Sequence, residues 1–142
     1  MEVEINYLAV LLATAASVVL GFIWFGPLFG KQWMRLIGVA MPGEITKAMK
    51  RSMMRSYAMV AISSFVMAAV LAHALFYISE FTGVYDVATS VTTALWAWLG
   101  FVVPATLGAV LWEDKPWKYW FITAGFWLVA LIAAGVILAV WQ

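Results

Sequence analysis

The fold is decided where the stretch LGFIWFGPLFGKQW, residues 20–33, carries the chain out of its first apolar segment. Pro27 lacks a backbone N–H and disfavours helical dihedrals at Gly26, so a helix arriving there is expected to stop or bend. The aromatic residues of the stretch suit the interface of a bilayer, where such rings collect. We therefore predict that a membrane span ends here. A re-entrant turn facing a ligand is the alternative, since polar protein surroundings could support one.

Composition places the whole chain in the same class. Of its 142 residues, 66% are hydrophobic and 11% are charged, whereas an average soluble domain has roughly a quarter charged residues. Four segments without any charge meet the length of roughly 20 residues that crosses a bilayer. We predict an all-α fold, a single integral membrane four-helix bundle over residues 1–142, with spans near 5–25, 56–79, 87–112 and 118–141.

The long polar connection between the first two spans is basic. Apolar and polar residues alternate after Phe29 at helical spacing, which predicts a short interfacial amphipathic helix after helix one. From about Glu44 a further helix is expected to run unbroken into the second span. Cations beside an anionic leaflet contribute roughly 1 kcal/mol each. These positions are therefore candidate anionic-lipid contacts, or they only set topology: Lys31, Arg35, Lys47, Lys50, Arg51 and Arg55.

The other connections carry ordinary helix-end signals. Gly83 is expected to form the turn after the second span, and Asp86 to cap the third span by accepting from its first free N–H groups. Pro104 should kink the third span. Pro116 suits the first turn of the fourth span.

Basic residues are distributed unequally between the two sides of the predicted bundle. All eight Lys and Arg residues lie in the connections after the first and third spans. The cytoplasmic side of membrane proteins is the basic side. Both termini are therefore predicted to face away from the cytoplasm.

Two signatures resemble a bacterial family of small membrane proteins known as domain-of-unknown-function family 1761. The first signature combines residues 6–10 (NYLAV), Gly21, residues 24–27 (WFGP), residues 29–30 (FG) and Trp33. The second is the run WLGFVVP at residues 98–104, with Trp112-Glu113 and Lys115. The resemblance implies a four-helix membrane fold and a bacterial host. In a bacterial inner membrane the termini, which the charges direct away from the cytoplasm, would be periplasmic. It implies no activity, so it provides no catalytic residues.

His73 is the only histidine, and it belongs to a candidate polar face on the second span. Tyr77 and Glu80 follow at spacings that place all three on one side of a helix, and Asn6 belongs at the same depth. Such a face could relay protons or hold a metal. We favour a neutral His73 that hydrogen-bonds within the bundle and fastens helices, because one histidine supplies too few of the three or four protein ligands usual for zinc. No metal or cofactor is expected.

The remaining chemistry-bearing residues form no convergent set. Glu113 and Asp114 lie beside Lys115 in a short loop, where helix capping and ion pairing explain them. There is no phosphate-binding Gly-rich loop, zinc-protease helix or nucleophile elbow. Nucleic-acid binding is not expected, because no recognition fold accompanies the basic residues. We therefore expect a non-enzymatic structural or interaction module. The alternative is a subunit of an oligomeric small-solute or proton-coupled transporter or channel.

Small residues spaced four apart indicate self-association, because they allow close packing of helices in lipid. We predict a homo-oligomer. The preferred contact is on the last helix, which is terminal in the chain and expected to be peripheral in the bundle, at Ala130/Ala134 and Gly135/Ala139.

Overall fold

A computed structural model describes residues 4–38 and 46–141 as a bundle of α-helices without strands. Two five-residue π turns interrupt the helical rods, a first at Trp24–Leu28 and a second at Trp98–Val102. The helices are α1 (Tyr7–Ile23), α2 (Gly30–Ile37), α3 (Lys47–Thr82), α4 (Val87–Ala97), α5 (Val103–Leu111) and α6 (Trp117–Val140).

Four continuous rods are long and apolar enough to cross a membrane: Tyr7–Leu28, Lys47–Thr82, Val87–Leu111 and Trp117–Val140. The short helix α2 between the first two rods exposes Lys31 and Arg35 and half-buries Trp33 and Leu36. The predicted all-α class, with four apolar rods and one amphipathic helix after the first of them, is confirmed.

The last helix, α6, occupies the centre of the bundle. It packs against α1, α3, α4 and α5, and its small residues let those neighbours approach closely. A Cβ added to Gly135 would lie only 3.1 Å from the carbonyl oxygen of Ser90 on α4. The core around it is built mainly of alanine and leucine, including Ala13, Leu71 and Ala134.

This position contradicts the expectation that the last helix is peripheral. Ala130 and Ala134 are 3% and 4% exposed, and Gly135 and Ala139 are buried as well. These residues already pack inside one chain, so the predicted contact with a second copy through them is wrong. The physical reason is that α6 carries small residues on several sides, including Ala124, Ala130 and Gly135, and small residues let neighbouring helices pack closely in lipid.

Helix α3 continues far beyond the packed bundle. Its 36 residues give a length of about 54 Å, against about 30 Å for the hydrocarbon core of a bilayer. Every residue from 47 to 60 is exposed, and we call this segment the basic stem. The stem runs unbroken into the apolar part of α3, as predicted. Its expected beginning near Glu44 lies outside the described residues.

The connections define two ends of the bundle. The basic end comprises α2, the basic stem and residues 112–118. The terminal end comprises residues 4–6, 83–86 and 141. Gly83 ends α3 with a φ of 69°, a value that favours glycine, and Asp86 caps α4 by accepting from the Thr89 N–H at 2.7 Å. Pro116 immediately precedes α6. The predictions for Gly83 and Asp86 are confirmed, whereas Pro116 is the extended residue before α6 and lies outside the first turn in which it was expected.

The two π turns lie at or next to the prolines that were expected to bend the helices. Pro27 lies inside the first π turn, and the chain continues through it before turning at Phe29. The second π turn ends two residues before Pro104, and the Val103 N–H bonds back to the Trp98 carbonyl. Prolines remove a helical N–H, and π bulges are one of the recognised accompaniments of a helix kink.

Candidate functional site

An apolar groove of about 270 Å³ opens on the side of the bundle near the basic end. Three helices contribute its walls, and five of its ten lining side chains are aromatic. We call it the aromatic groove. It is lined by Val18, Gly21, Phe22, Phe25, Gly26, Tyr57, Val60, Thr123, Phe126 and Trp127.

Ring contacts hold the walls of the aromatic groove together. Phe22 of α1 meets Tyr57 of α3 with ring centroids 5.0 Å apart, and Phe25 meets Phe126 of α6 at 5.1 Å. Trp33 of α2 packs edge-on against Phe25 at 5.3 Å. The first π turn is therefore fastened to α2 and α6, and Phe22 just before it joins α1 to α3, so the groove has a defined shape.

The return of the chain from the first π turn into α2 depends on Gly30. This glycine is buried, and an added Cβ would lie 2.5 Å from the Phe25 carbonyl oxygen. No side chain fits at that distance. Residue 30, the first residue of α2, must therefore be glycine if α2 is to fold back and place Trp33 on Phe25.

Polar groups contribute little to the groove. The Thr123 hydroxyl donates within its own helix, to the carbonyls of Tyr119 at 2.9 Å and Trp120 at 3.2 Å. The Tyr57 side chain is 43% exposed and is the other hydroxyl that lines the groove. The groove is thus suited to an apolar chain with a polar group at its Tyr57 end.

The candidate lipid-contact residues lie on α2 and on the basic stem, both at the basic end of the bundle. Lys31 and Arg35 are exposed on α2, and Lys47, Lys50, Arg51 and Arg55 are exposed on the basic stem. Lys50 precedes Tyr57 by seven residues, or two helical turns, so both lie on the same side of α3. Arg55 is two residues from Tyr57 and therefore lies about 200° around the helix from it. Of the four cations on the basic stem, Lys50 is the one whose position around α3 lies nearest to that of Tyr57.

Two tryptophans bind α6 through their indole N–H groups. Trp24 donates to the Ile122 carbonyl at 2.9 Å, and Trp98 donates to the Ala124 carbonyl at 2.8 Å. Each tryptophan is the first residue of a π turn. Sequence reasoning assigned Trp24 to an interfacial belt and missed both bonds, although the repeated Trp-x-Gly triplet at residues 24–26 and 98–100 was a usable signal.

A second, smaller cavity of about 170 Å³ lies at the terminal end. The Asn6 amide caps α1 by accepting from two backbone N–H groups, and it donates to the Trp141 carbonyl at 3.2 Å. The cavity is lined by Glu4, Ile5, Asn6, Ala9, Ala72, Phe76, Ser79, Tyr85, Leu138 and Trp141. Partial burial raises the pKa of the Tyr85 phenol above its ordinary value.

The structure does not bring the whole candidate polar face into this cavity. Asn6 faces Ala72, Phe76 and Ser79 of α3, whereas His73 and Tyr77 each lie one position further round the helix. His73 Nδ1 lies 2.7 Å from the Ala69 carbonyl of its own helix. This bond joins no second helix to α3. Tyr77 and Glu80 are exposed.

Comparison with known proteins agrees with the sequence signatures. The sequence model of DUF1761, described as a protein of unknown function, matches residues 8–139, nearly the whole chain. The chain belongs to the DUF1761 family. No curated protein and no solved structure matches it.

The DUF1761 region contains the complete aromatic groove, both π turns and Gly30. The bond between Asn6 and Trp141, in contrast, joins two residues that flank this region. The family description provides no activity. Any function must therefore be argued from the geometry of the groove and of the basic end.

Groups that could hold a metal do not converge within the part of the chain that the structure describes. Residues 4–38 and 46–141 contain no cluster of three or more His, Cys, Asp or Glu side chains. The threonines of α4 also bond locally: Thr92 donates to the Ala88 carbonyl and Thr93 to the Thr89 carbonyl, each at 2.8 Å. These hydroxyls therefore serve their own helix.

Proposed function

We propose that the chain is an integral protein of a bacterial cytoplasmic membrane, where it acts as a non-enzymatic interaction module that holds anionic lipid at its basic end. Large apolar side chains point outward along the four long helices; Phe101 and Trp96, for example, are 77% and 69% exposed. Soluble monomers rarely expose contiguous apolar patches beyond a few hundred Å². A bilayer is the solvent that suits this surface.

Orientation follows from the charges. Every Lys and Arg lies at the basic end, and the basic side of a membrane protein faces the cytoplasm. We therefore infer that the basic end faces the cytoplasm and that both termini face the periplasm.

The basic stem is the observation that carries the proposed function. A helix that merely spans the membrane needs about 20 residues, yet α3 has 36. The additional turns are exposed and carry Lys47, Lys50, Arg51 and Arg55 beside the cations of α2. Lysine and arginine near an anionic leaflet contribute about 1 kcal/mol each. The stem places them where lipid phosphates lie.

Transport finds less support than lipid contact. A transported solute needs a path between the two ends, and the layer between them is filled mainly by apolar residues such as Val10, Leu71 and Leu131. The buried polar side chains among the described residues are the serines Ser17, Ser64 and Ser90. The candidate proton-relay residue His73 bonds to its own helix. An apolar interior without a convergent catalytic set likewise favours a non-enzymatic role.

Homo-oligomerisation remains part of the proposal, on a different surface from the one expected. The rod formed by α4, the second π turn and α5 packs mainly on α6, and Gly100, Pro104 and Ala105 on its outer side are exposed. Small residues in lipid permit close helix approach. Mass measurement in nanodiscs tests the proposal; a monomer at micromolar concentration in several lipids would contradict it.

The lipid proposal is tested by thermal unfolding in nanodiscs of phosphatidylcholine with and without phosphatidylglycerol. We expect the anionic lipid to raise the Tm of the wild type. The triple variant Lys47→Gln/Lys50→Gln/Arg51→Gln should lose that increment, whereas the charge-conserving Lys47→Arg/Lys50→Arg should keep it. Equal Tm values of the wild type in the two lipids would refute lipid binding by the basic end.

The topology proposal is tested by fusing alkaline phosphatase, and separately a fluorescent protein, after Gln142. Phosphatase is active in the periplasm, so the first fusion should be active and the second dark. Fluorescence without phosphatase activity would reverse the orientation.

A further inference from the structure

We propose that the aromatic groove binds one acyl chain of an anionic phospholipid from the cytoplasmic leaflet, and that Lys50 holds the phosphate of that lipid. This inference rests on the proposed function, because it takes the basic end to be cytoplasmic. It goes further by assigning one lipid molecule to one site, in place of a diffuse attraction along the stem.

The dimensions of the groove fit an acyl chain of one leaflet. Along α1 and the first π turn the lining runs from Val18 to Gly26, a rise of about 12 Å. One leaflet contributes half of a hydrocarbon core of about 30 Å. The groove therefore extends through most of the depth that a single chain occupies, and it opens sideways to lipid.

The lining selects a chain over a polar solute. The Thr123 hydroxyl donates to backbone carbonyls of its own helix. The other residues that line the groove, apart from Tyr57, are aromatic, aliphatic or glycine. At Gly26 an added Cβ would meet no atom within 4 Å, so this part of the groove is open. Aromatic side chains bury large apolar areas at low conformational cost, which suits them to hold a flexible chain.

Charge complementarity identifies the headgroup as anionic. Tyr57 suits the interfacial depth, where amphipathic rings collect, and Lys50 lies about 10 Å further toward the cytoplasm on the same side of α3. Its aliphatic stem can lie along the helix while the ammonium reaches a phosphate, as lysines at membrane interfaces do. Arg55 is closer to Tyr57 along the axis but points to the other side of α3, so it serves as an internal control.

The test uses a phosphatidylglycerol that carries a photoactivatable diazirine in one acyl chain, at a low mole fraction in phosphatidylcholine nanodiscs. After irradiation, the labelled residues of the full-length protein are mapped by mass spectrometry. We expect the label to concentrate on Tyr57, Val60 and the peptide around Thr123. Unlabelled phosphatidylglycerol should compete at least five-fold better than unlabelled phosphatidylcholine.

Matched variants separate the groove from the rest of the surface. Val60→Trp fills the groove and should reduce labelling of the Thr123 peptide at least five-fold. Val66→Trp introduces the same ring on the outer side of α3, where Val66 is 52% exposed, and should leave labelling unchanged. Lys50→Gln should lower the preference for phosphatidylglycerol at the groove at least five-fold, and Arg55→Gln should lower it less, because Arg55 lies on the other side of α3.

Several results would overturn the inference. One is label spread evenly over the exposed faces of α4 and α5. A second is equal competition by the two unlabelled lipids, and a third is equal labelling in the Val60→Trp and Val66→Trp variants. If the anionic lipid still raises the Tm of the wild type in those cases, the proposed function stands and the single-lipid site fails. Should no Tm increment occur either, both fail together.

Discussion

Gly30→Ala is the sharpest single test of the turn that follows the first π turn. Its Cβ would lie 2.5 Å from the Phe25 carbonyl oxygen and 3.2 Å from the carbonyl carbon. Both are backbone atoms, so no side-chain rotation relieves the clash. Either the π turn distorts or α2 moves away as a unit.

Distorting the π turn and displacing α2 have comparable costs in folding free energy. Forcing an extra methyl group into a packed site costs typically about 1–3 kcal/mol. Moving α2 instead separates Trp33 from Phe25, an aromatic pair worth about 0.5–1.5 kcal/mol beyond the area it buries. We expect Gly30→Ala to destabilise the fold by about 2 kcal/mol. Apart from its chain neighbours, a Cβ at Gly26 meets no atom within 4 Å, so Gly26→Ala should cost less than Gly30→Ala, its cost being limited to the restriction that Pro27 places on the preceding residue.

The assay has a global and a local readout. Thermal unfolding in nanodiscs, followed by tryptophan fluorescence, should give a lower Tm for Gly30→Ala than for Gly26→Ala. The chain has no cysteine, so a single cysteine at half-buried Ile37 reports docking of α2 through its alkylation rate. That rate should rise in Gly30→Ala alone. Equal Tm values and equal alkylation rates for the two variants would refute the close approach.

Three further predictions use other contacts. Gly135→Ala places a methyl group 3.1 Å from a carbonyl on α4 and should cost about 1–3 kcal/mol, whereas Gly100→Ala enters open space and should not lower the Tm. Trp24→Phe keeps a ring but loses the indole bond to α6, with an expected loss of about 1 kcal/mol; Trp96→Phe, at a site 69% exposed, is its control. The α4 N–H groups that Asp86 caps lower the pKa of its carboxyl group. The capping carboxylate therefore stabilises the fold at pH values above the ordinary carboxyl pKa, and this stabilisation is lost as the pH falls through the lowered pKa. Tm measured from pH 7 to pH 3 should show this loss in the wild type and less of it in Asp86→Asn.

The rods could be predicted because their signals are local. Charge-free apolar segments, the helix caps and the amphipathic period of α2 each depend on a few consecutive residues. Asp86 caps α4 and Gly83 ends α3 for reasons that can be stated without any tertiary contact. The basic residues of the stem were likewise identified from sequence, although only the helix geometry distinguishes Lys50 from Arg55.

The arrangement of the rods could not be predicted in the same way. Chain order suggested a peripheral last helix, but the small, apolar surface of α6 places it at the centre. The candidate polar face also depended on rotation about α3. A difference of one residue, about 100°, decides whether Phe76 or Tyr77 faces Asn6, and sequence spacing alone does not fix that angle.

The two π turns show how such rotations are set in this chain. Each π turn uses one residue more than a regular helical turn, which shifts the following side chains by about 100° around the axis. Each begins at a tryptophan whose indole N–H reaches a carbonyl of α6, that of Ile122 or of Ala124. Carbonyls two residues apart point about 200° apart around a helix. The indoles therefore hold α6 from opposite sides, one through the rod of α1 and one through the rod of α4 and α5. If the helix were regular through either Trp-x-Gly triplet, the residues after the triplet would be rotated about the helix axis by one residue position. The π turn, the indole hydrogen bond and the central position of α6 therefore depend on one another.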